Sequence, residues 1–343
     1  MLKLQQLIQK FKQELTEQEA DLYDRQIRLW GLESQKKLRA ADVLLINVRA
    51  LGAEIAKNIL LSGIKSLTFL DDGLVTQEDL MTNFLLPRDS LGKNIAEAVL
   101  DRARNLNSMV QINGDAQSVT DKDQMFYKKF TLIVATRLPT AQLISINQMC
   151  RDNGTQFICG DVFGLFGYTF SDLQMHEYYV DSVQLVANKK RKLEKDKKID
   201  QTTVRVVKTI AYVPLQDALG VDWTTEEQKK ACKLTPWYLL ARVLLRFRDV
   251  HKRNLQPTDR DADIGKLKEI RDKLLNSLDI STDRLPDETF DLVFGEVVPV
   301  CAIVGGVLAQ EVIKAVSHNE APVNNMFFFD PNNFSGKIEC VGN

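Results

Sequence analysis

The chain has 343 residues, with 45 Lys+Arg against 46 Asp+Glu, three His, five Cys and a formal net charge of −1. Apolar residues make up 44% and charged residues 27%, a globular mix that excludes a mostly disordered chain, a collagen-like chain and a disulfide miniprotein. Near-zero net charge argues against a surface devoted to nucleic acid, which needs a basic footprint, and the length suggests about two domains.

Residues 1–41 read as helical. Leu4, Leu7, Ile8, Phe11 and Leu15 share one helical face. No continuous apolar core or small-residue cleavage site of a signal peptide stands there. Thr16-Glu17-Gln18-Glu19 has the form of a capping box, so a second helix is expected from Thr16, closed by Gly31 as a left-handed cap. Val43–Asn47 is a short apolar run, as a buried parallel strand should be. Gly52–Ser62 reads as a helix, Leu67–Asp71 as a strand, Gly92–Asn105 as a helix and Leu132–Ala135 as a strand. Thr140–Asn153 follows as a helix closed by Gly154, then Phe157–Gly160 as a strand. This alternation predicts an α/β fold with a doubly wound, Rossmann-like, mostly parallel sheet.

The pattern changes near residue 178. Gly164, Gly167, Tyr168 and Phe170 suit a bend into antiparallel strands. Lys189–Lys198 then holds seven basic and two acidic residues, a run that reads either as a solvated loop or as a nuclear import signal. Residues 224–280 read as helices around a loop at Pro257–Asp263. Ala302–Val316 reads as a core helix and Met326–Asp330 as a last strand. The expected organisation is N-terminal helices over 1–42, a sheet domain over 43–178 and 291–343, and a helical insertion over 179–290. The longest apolar run, Val297–Ala309, is 13 residues, short of the about 20 that a spanning helix needs.

Cys150, Cys159, Cys232, Cys301 and Cys340 are odd in number and include no CxxC. That suits a reducing compartment, nucleus or cytoplasm, and argues against a zinc site. His176, His251 and His318 look too scattered for a metal site.

Asn47-Val48-Arg49-Ala50-Leu51-Gly52 stands where a first βα turn would carry a glycine-rich phosphate loop. Only Gly52 of the G-x-G-x-x-G pattern remains, with Asn47 and Arg49 in the first two glycine positions. By itself this is also what a plain strand–turn–helix with a packing glycine would show. Asp71 and Asp72 follow Gly52 by 19 and 20 residues. That spacing suits an acid for a ribose hydroxyl, or a polar cap on a strand end. A Rossmann oxidoreductase would need the glycines that Asn47 and Arg49 replace.

Tyr23-Asp-Arg-Gln-Ile-Arg-Leu-Trp-Gly31 resembles the entry signature of the ubiquitin-like activating enzymes and their bacterial MoeB/ThiF relatives. Gly52-Ala-Glu-Ile-Ala-Lys-Asn-Ile-Leu-Leu-Ser-Gly63 resembles the helix after that family's glycine motif. Pro299–Lys314 followed by Pro322-Val-Asn-Asn325 resembles its C-terminal helix and strand. The resemblance implies the MoeB/ThiF adenylation fold. It also exposes losses at the family's ATP site, which uses G-x-G-G-x-G, an Arg, a Lys and a metal-holding Asp. Here Thr82 and Asn83, aligned on Phe84, replace the Arg and its Gln neighbour. Asn94, Ile95 and Ala96 follow Gly92-Lys93 without the Lys, and Ala135–Pro139 contains no acid. Adenylation needs positive groups on the phosphates and a carboxylate for the metal.

No cofactor is therefore expected on this chain. Mg-ATP and a structural zinc are expected on a partner. Cys232 stands in no convincing nucleophile motif, so the thioester cysteine is also expected elsewhere. Arg25 belongs to the entry signature, and the resemblance implies that it crosses to the partner's ATP. Without the resemblance it reads as a surface or capping arginine. Arg28 either joins it or pairs with Asp24 one turn back.

Size and the short insertion are similar to the regulatory, non-cysteine subunits of heterodimeric activating enzymes for the modifier SUMO. This implies three partners: a larger cysteine-bearing subunit, SUMO, and a conjugating enzyme reached through the complex. A self-sufficient homodimeric adenylyltransferase and a pure scaffold are the alternatives.

Overall fold

A computed structural model describes residues 16–186, 200–221 and 235–342. The helix expected over 1–15, the basic run Lys189–Lys198 and Cys232 lie outside the described residues.

The entry segment is three short helices, α1 (Glu17–Leu22), α2 (Asp24–Trp30) and α3 (Leu32–Leu38). The capping box forms as expected, with Thr16 and Glu19 exchanging side-chain and backbone bonds. The single helix expected from Thr16 to Gly31 is broken at Tyr23. That ring is buried, and its hydroxyl accepts a bond from Asn107 Nδ2 at 2.9 Å. Gly31 ends α2 with φ 86° and ψ 161°, outside the left-handed helical well that was expected.

The sheet has eight strands: β1 (Asp42–Ile46), β2 (Ser66–Leu70), β3 (Gln111–Asp115), β4 (Leu132–Thr136), β5 (Gln156–Phe163), β6 (Phe166–Asp172), β9 (Met326–Asp330) and β10 (Ser335–Glu339). Their order is β10-β9-β6-β5-β4-β1-β2-β3. The five strands from β5 to β3 are parallel, while β6, β9 and β10 run antiparallel. Strand alternation sorts the core. Val43 and Leu45 of β1 join one apolar cluster, and Leu44 and Ile46 join the other. Helix α4 (Ala50–Ser62) and the 20-residue helix Val298–Ser317 cover the first face. Gly63 and Gly154 close helices in the left-handed conformation that glycine adopts without strain.

Helix Val298–Ser317 is long and apolar enough to cross a membrane. It nevertheless packs against α4, β5 and β6, so most of its surface is core. At the crossing, Gly305 lies so close to α4 that a Cβ there would stand 2.9 Å from Glu54 Cβ.

Three expectations are corrected. The helix expected over Gly92–Asn105 starts only at Ile95. Asn94 caps it by accepting from Glu97 N–H at 3.1 Å, and it breaks into Ile95–Ala98 and Leu100–Leu106. The insertion opens with an antiparallel pair of strands, β7 (Met175–Val186) and β8 (Asp200–Ala211), rather than being helical throughout. The loop expected over Pro257–Asp263 ends earlier, because a helix already runs over Arg260–Ser277. That helix and Pro236–His251 do not stand apart from the sheet. Trp237, Tyr238, Leu240 and Leu267 share one core with Ile133, Phe157 and Phe328.

Two of the three histidines meet. His176 and His318 stack with ring centroids 4.8 Å apart, where β7 leaves the body of the protein. His176 is buried, and burial, then His318 and Lys37, lower its pKa to about 4. Unfolded, the ring titrates near its ordinary 6.5, so between those values the unfolded chain binds the extra proton. Stability therefore falls as pH drops from 6.5 towards 4, by up to about 3 kcal/mol. His176→Gln should flatten that part of a urea-midpoint-against-pH curve. An unaltered slope would place the acid sensitivity elsewhere.

Candidate functional site

In a doubly wound sheet the ligand crevice lies beyond the carboxyl ends of the strands where the winding reverses. Here that is between β1 and β4, the strands of the degenerate loop and of the acid-free segment. Asn47 adopts a positive φ of 64°. Its Nδ2 donates to Thr136 O at 2.7 Å, and the Thr136 hydroxyl donates back to Asn47 O at 3.0 Å. These bonds stitch the two strand ends across the crevice. Gly52 is needed there, because a Cβ would lie 2.4 Å from Asn47 O. Gly52→Ala should cost about 1–3 kcal/mol through displacement of this turn. A chemical-denaturation midpoint equal to wild type would refute that.

Asp71 is buried, and its two oxygens accept from Val48 N–H and Gly73 N–H, each at 2.9 Å. These two bonds cap the turn, and Asp71 also lines the crevice. Asp72 is exposed beside it. Arg49 pairs with Asp79, the capping acid of the helix Gln77–Thr82. Burial works to raise the Asp79 carboxyl, but hydrogen bonds from Arg49 and Thr76 outweigh it and hold the pKa below its ordinary value. Asn83 is buried and donates to Val48 O at 2.6 Å. Asn94 Nδ2 donates to Asp71 O at 2.8 Å, and Ile95 and Ala96 are buried. Asn47, Asp71, Asn83 and Asn94 thus bond the surrounding backbone, and Arg49 pairs with Asp79.

Two ion pairs fill the other side of the crevice, and neither was read from the sequence. Arg137, with φ 56°, lies 3.2 Å from Glu296. Burial pushes the Glu296 carboxyl up, and Arg137 only partly opposes this. Arg248 Nη2 lies 2.6 Å from Asp161 Oδ2, both buried. The cavity left beside Asn47, Asp71, Ser118 and Gln142 is about 140 Å³. Ligand pockets are ordinarily at least about 300 Å³. Neither the space nor the donor set fits a metal-bound nucleoside triphosphate.

Three of the four described cysteines are buried. Burial pushes the Cys150, Cys159 and Cys301 thiols far up, so they stay protonated at neutral pH. Cys340 is exposed.

Arg25 and Arg28 separate. Arg28 Nε donates to Asp24 at 3.0 Å, the helical i,i+4 pair. Arg25 is exposed on α2 and has no side-chain partner among the described residues. The helix is fixed from below by the buried Tyr23 and Ile27, and by Gln26 Nε2 donating to Leu61 O at 2.8 Å. Beside it runs an open groove of about 470 Å³ of mixed lining, with Leu29, Trp30, Leu61 and Ile313 beside Gln310 and Glu320. Leu29 is 79% exposed, Leu61 45% and Ile303 46%. A monomer seldom leaves such a cluster uncovered.

The ThiF family profile matches residues 23–341, from the start of the entry signature to the last strand. The chain belongs to the ThiF family. This ThiF-family chain is 43% identical over 345 residues to SUMO-activating enzyme subunit 1 of Xenopus tropicalis, covering 98% of the chain and 99% of the relative. It is 44% identical over 335 residues to SUMO-activating enzyme subunit 1 of Homo sapiens, covering 96% of each. Against the Danio rerio protein of the same name it is 43% identical over 332 residues, covering 95% of each.

Proposed function

We propose that this chain is the regulatory subunit of a heterodimeric SUMO-activating enzyme. The end-to-end similarity to proteins named as subunit 1 of that enzyme carries the reading. The stitched crevice supports it. Asn47, Arg49, Asp71 and Asn83 hold the local structure together instead of facing phosphates. In this reading the larger partner subunit holds Mg-ATP and zinc and adenylates the C-terminal glycine of SUMO. A partner cysteine then takes the acyl group as a thioester and passes it to a conjugating enzyme.

This chain contributes binding and charge. The groove along α2, α4 and the helix Val298–Ser317, with exposed Leu29 and Leu61, meets the partner. Arg25 reaches from α2 to the partner's nucleotide, where a permanently charged guanidinium contacts phosphate oxygens in pairs. The complex works in the nucleus and cytoplasm.

ATP–pyrophosphate exchange with SUMO present tests the division of labour. The chain alone should give background exchange, and a co-purified complex with a larger cysteine- and zinc-bearing relative should give exchange and a thioester. Full exchange by the chain alone would make it a self-sufficient homodimeric adenylyltransferase and sink this reading.

A further inference from the structure

Helix α2, which carries Arg25, has seven residues. That is short of the about 12 an isolated helix needs, so its place must come from its neighbours. The last carbonyls of a helix lack the usual N–H partner four residues on. At the end of α4, side-chain amides supply those bonds. Asn107 Nδ2 donates to Leu60 O at 2.7 Å, Gln26 Nε2 to Leu61 O at 2.8 Å and Gln35 Nε2 to Ser62 O at 2.9 Å. The entry helices are thus hung from the last turn of α4.

Asn107 is the buried joint of this arrangement. Besides Leu60 O, its amide reaches the Tyr23 hydroxyl at 2.9 Å, and its Oδ1 accepts Met109 N–H at 3.0 Å. The Tyr23 ring lies against Gly63, where a Cβ would come within 2.5 Å of it. The Tyr23 carbonyl in turn accepts Ile27 N–H at 2.9 Å, opening α2. Tyr23 and Arg25 are two residues apart, about 200° around a helix. The anchor therefore sits beneath α2, while Arg25 is exposed on it. A displacement of about 1 Å in a group that acts on a transition state can cost about a hundredfold in rate.

We propose that Asn107 and Tyr23 are positioning residues for Arg25, an inference that rests on the reading of Arg25 given above. Their buried bond fixes how α2 presents the guanidinium to the partner's nucleotide. Both side chains are buried, so neither offers the partner a surface of its own.

The test is a double-mutant cycle on ATP–pyrophosphate exchange by the reconstituted heterodimer, with saturating Mg-ATP and SUMO. Tyr23→Phe keeps the ring and removes only the hydroxyl. It should slow exchange by about threefold to tenfold, with the heterodimer intact on gel filtration. Asn107→Ala, which removes both of the amide's bonds, should slow exchange at least as much, and Tyr23→Phe decides if that variant does not fold. In an Arg25→Ala background Tyr23→Phe should change the rate by less than about twofold, because it acts through that guanidinium. Equal slowing with and without Arg25 would make the pair a general prop. Normal exchange by Tyr23→Phe would mean that α2 is placed without the bond. Either result overturns the proposal and leaves the role of Arg25 standing. Normal exchange by Arg25→Ala alone would remove that role and this proposal with it.

Discussion

Replacing Arg248 by methionine is expected to destabilise the protein by about 3–5 kcal/mol, the cost of stranding a buried charge. The arginine makes an ion pair and two further hydrogen bonds. Nη2 meets Asp161 at 2.6 Å, Nη1 donates to Leu138 O at 3.2 Å and Nε donates to Asn254 at 2.6 Å. Its guanidinium also lies 5.1 Å from the Phe163 ring centroid. One side chain therefore ties the insertion helix Pro236–His251 to the ends of β4 and β5. With it gone, Asp161 keeps only a bond from the N–H of Val162 at 2.9 Å. A guanidinium chloride titration should show a lower midpoint at an unchanged slope. Adding Asp161→Asn to Arg248→Met should recover part of the loss, because the stranded charge goes with it. A single variant within about 1 kcal/mol of wild type would mean that water replaces the arginine and the pair is not structural.

That ion pair also shows where sequence reading stops. Asp161 directly follows the expected strand Phe157–Gly160, yet its partner is 87 residues further on. No periodicity links the two, because the pairing is made by the tertiary path of the insertion. Local rules did reach their targets. The Thr16 capping box, the Gly154 end of Thr140–Asn153 and the Asp24–Arg28 pair each rest on contacts within one helical turn. The buried strands β1, β2, β4 and β5 announced themselves as apolar runs because both faces are covered. Edge strands did not. Gln111–Asp115 buries only Ile112 fully, and Ser335–Glu339 has no fully buried residue, so neither carries an apolar run.

The degenerate loop was legible as a set of losses, but not as a gain. Sequence comparison could say that Asn47 and Arg49 replace glycines. Only the fold shows Asn47 bonded to β4 and Arg49 committed to Asp79. Both replacements find partners for their polar side chains within the fold, as buried and half-buried polar groups do. Restoring glycines at 47 and 49 alone would remove those bonds without returning the lysine and acid that a triphosphate needs.

Arg25→Ala, in the reconstituted heterodimer, is expected to slow adenylate formation by between about tenfold and a hundredfold. That is the loss of a charged hydrogen bond worth about 1.5–3 kcal/mol to the transition state. Assembly should be unaffected, since Arg25 is exposed and makes no contact that holds α2 in place. The buried anchors of that helix are Tyr23 and Ile27. Arg25→Lys should keep the charge but lose paired contact with two phosphate oxygens, giving an intermediate rate. Arg28→Ala should change the rate little, because that guanidinium is already paired with Asp24. Pyrophosphate exchange reports the chemical step and gel filtration reports assembly, so the two readouts separate a phosphate contact from a scaffold. A normal exchange rate with Arg25→Ala in an intact heterodimer would leave this chain a scaffold only. A collapsed heterodimer would instead assign Arg25 to the interface and remove it from the nucleotide.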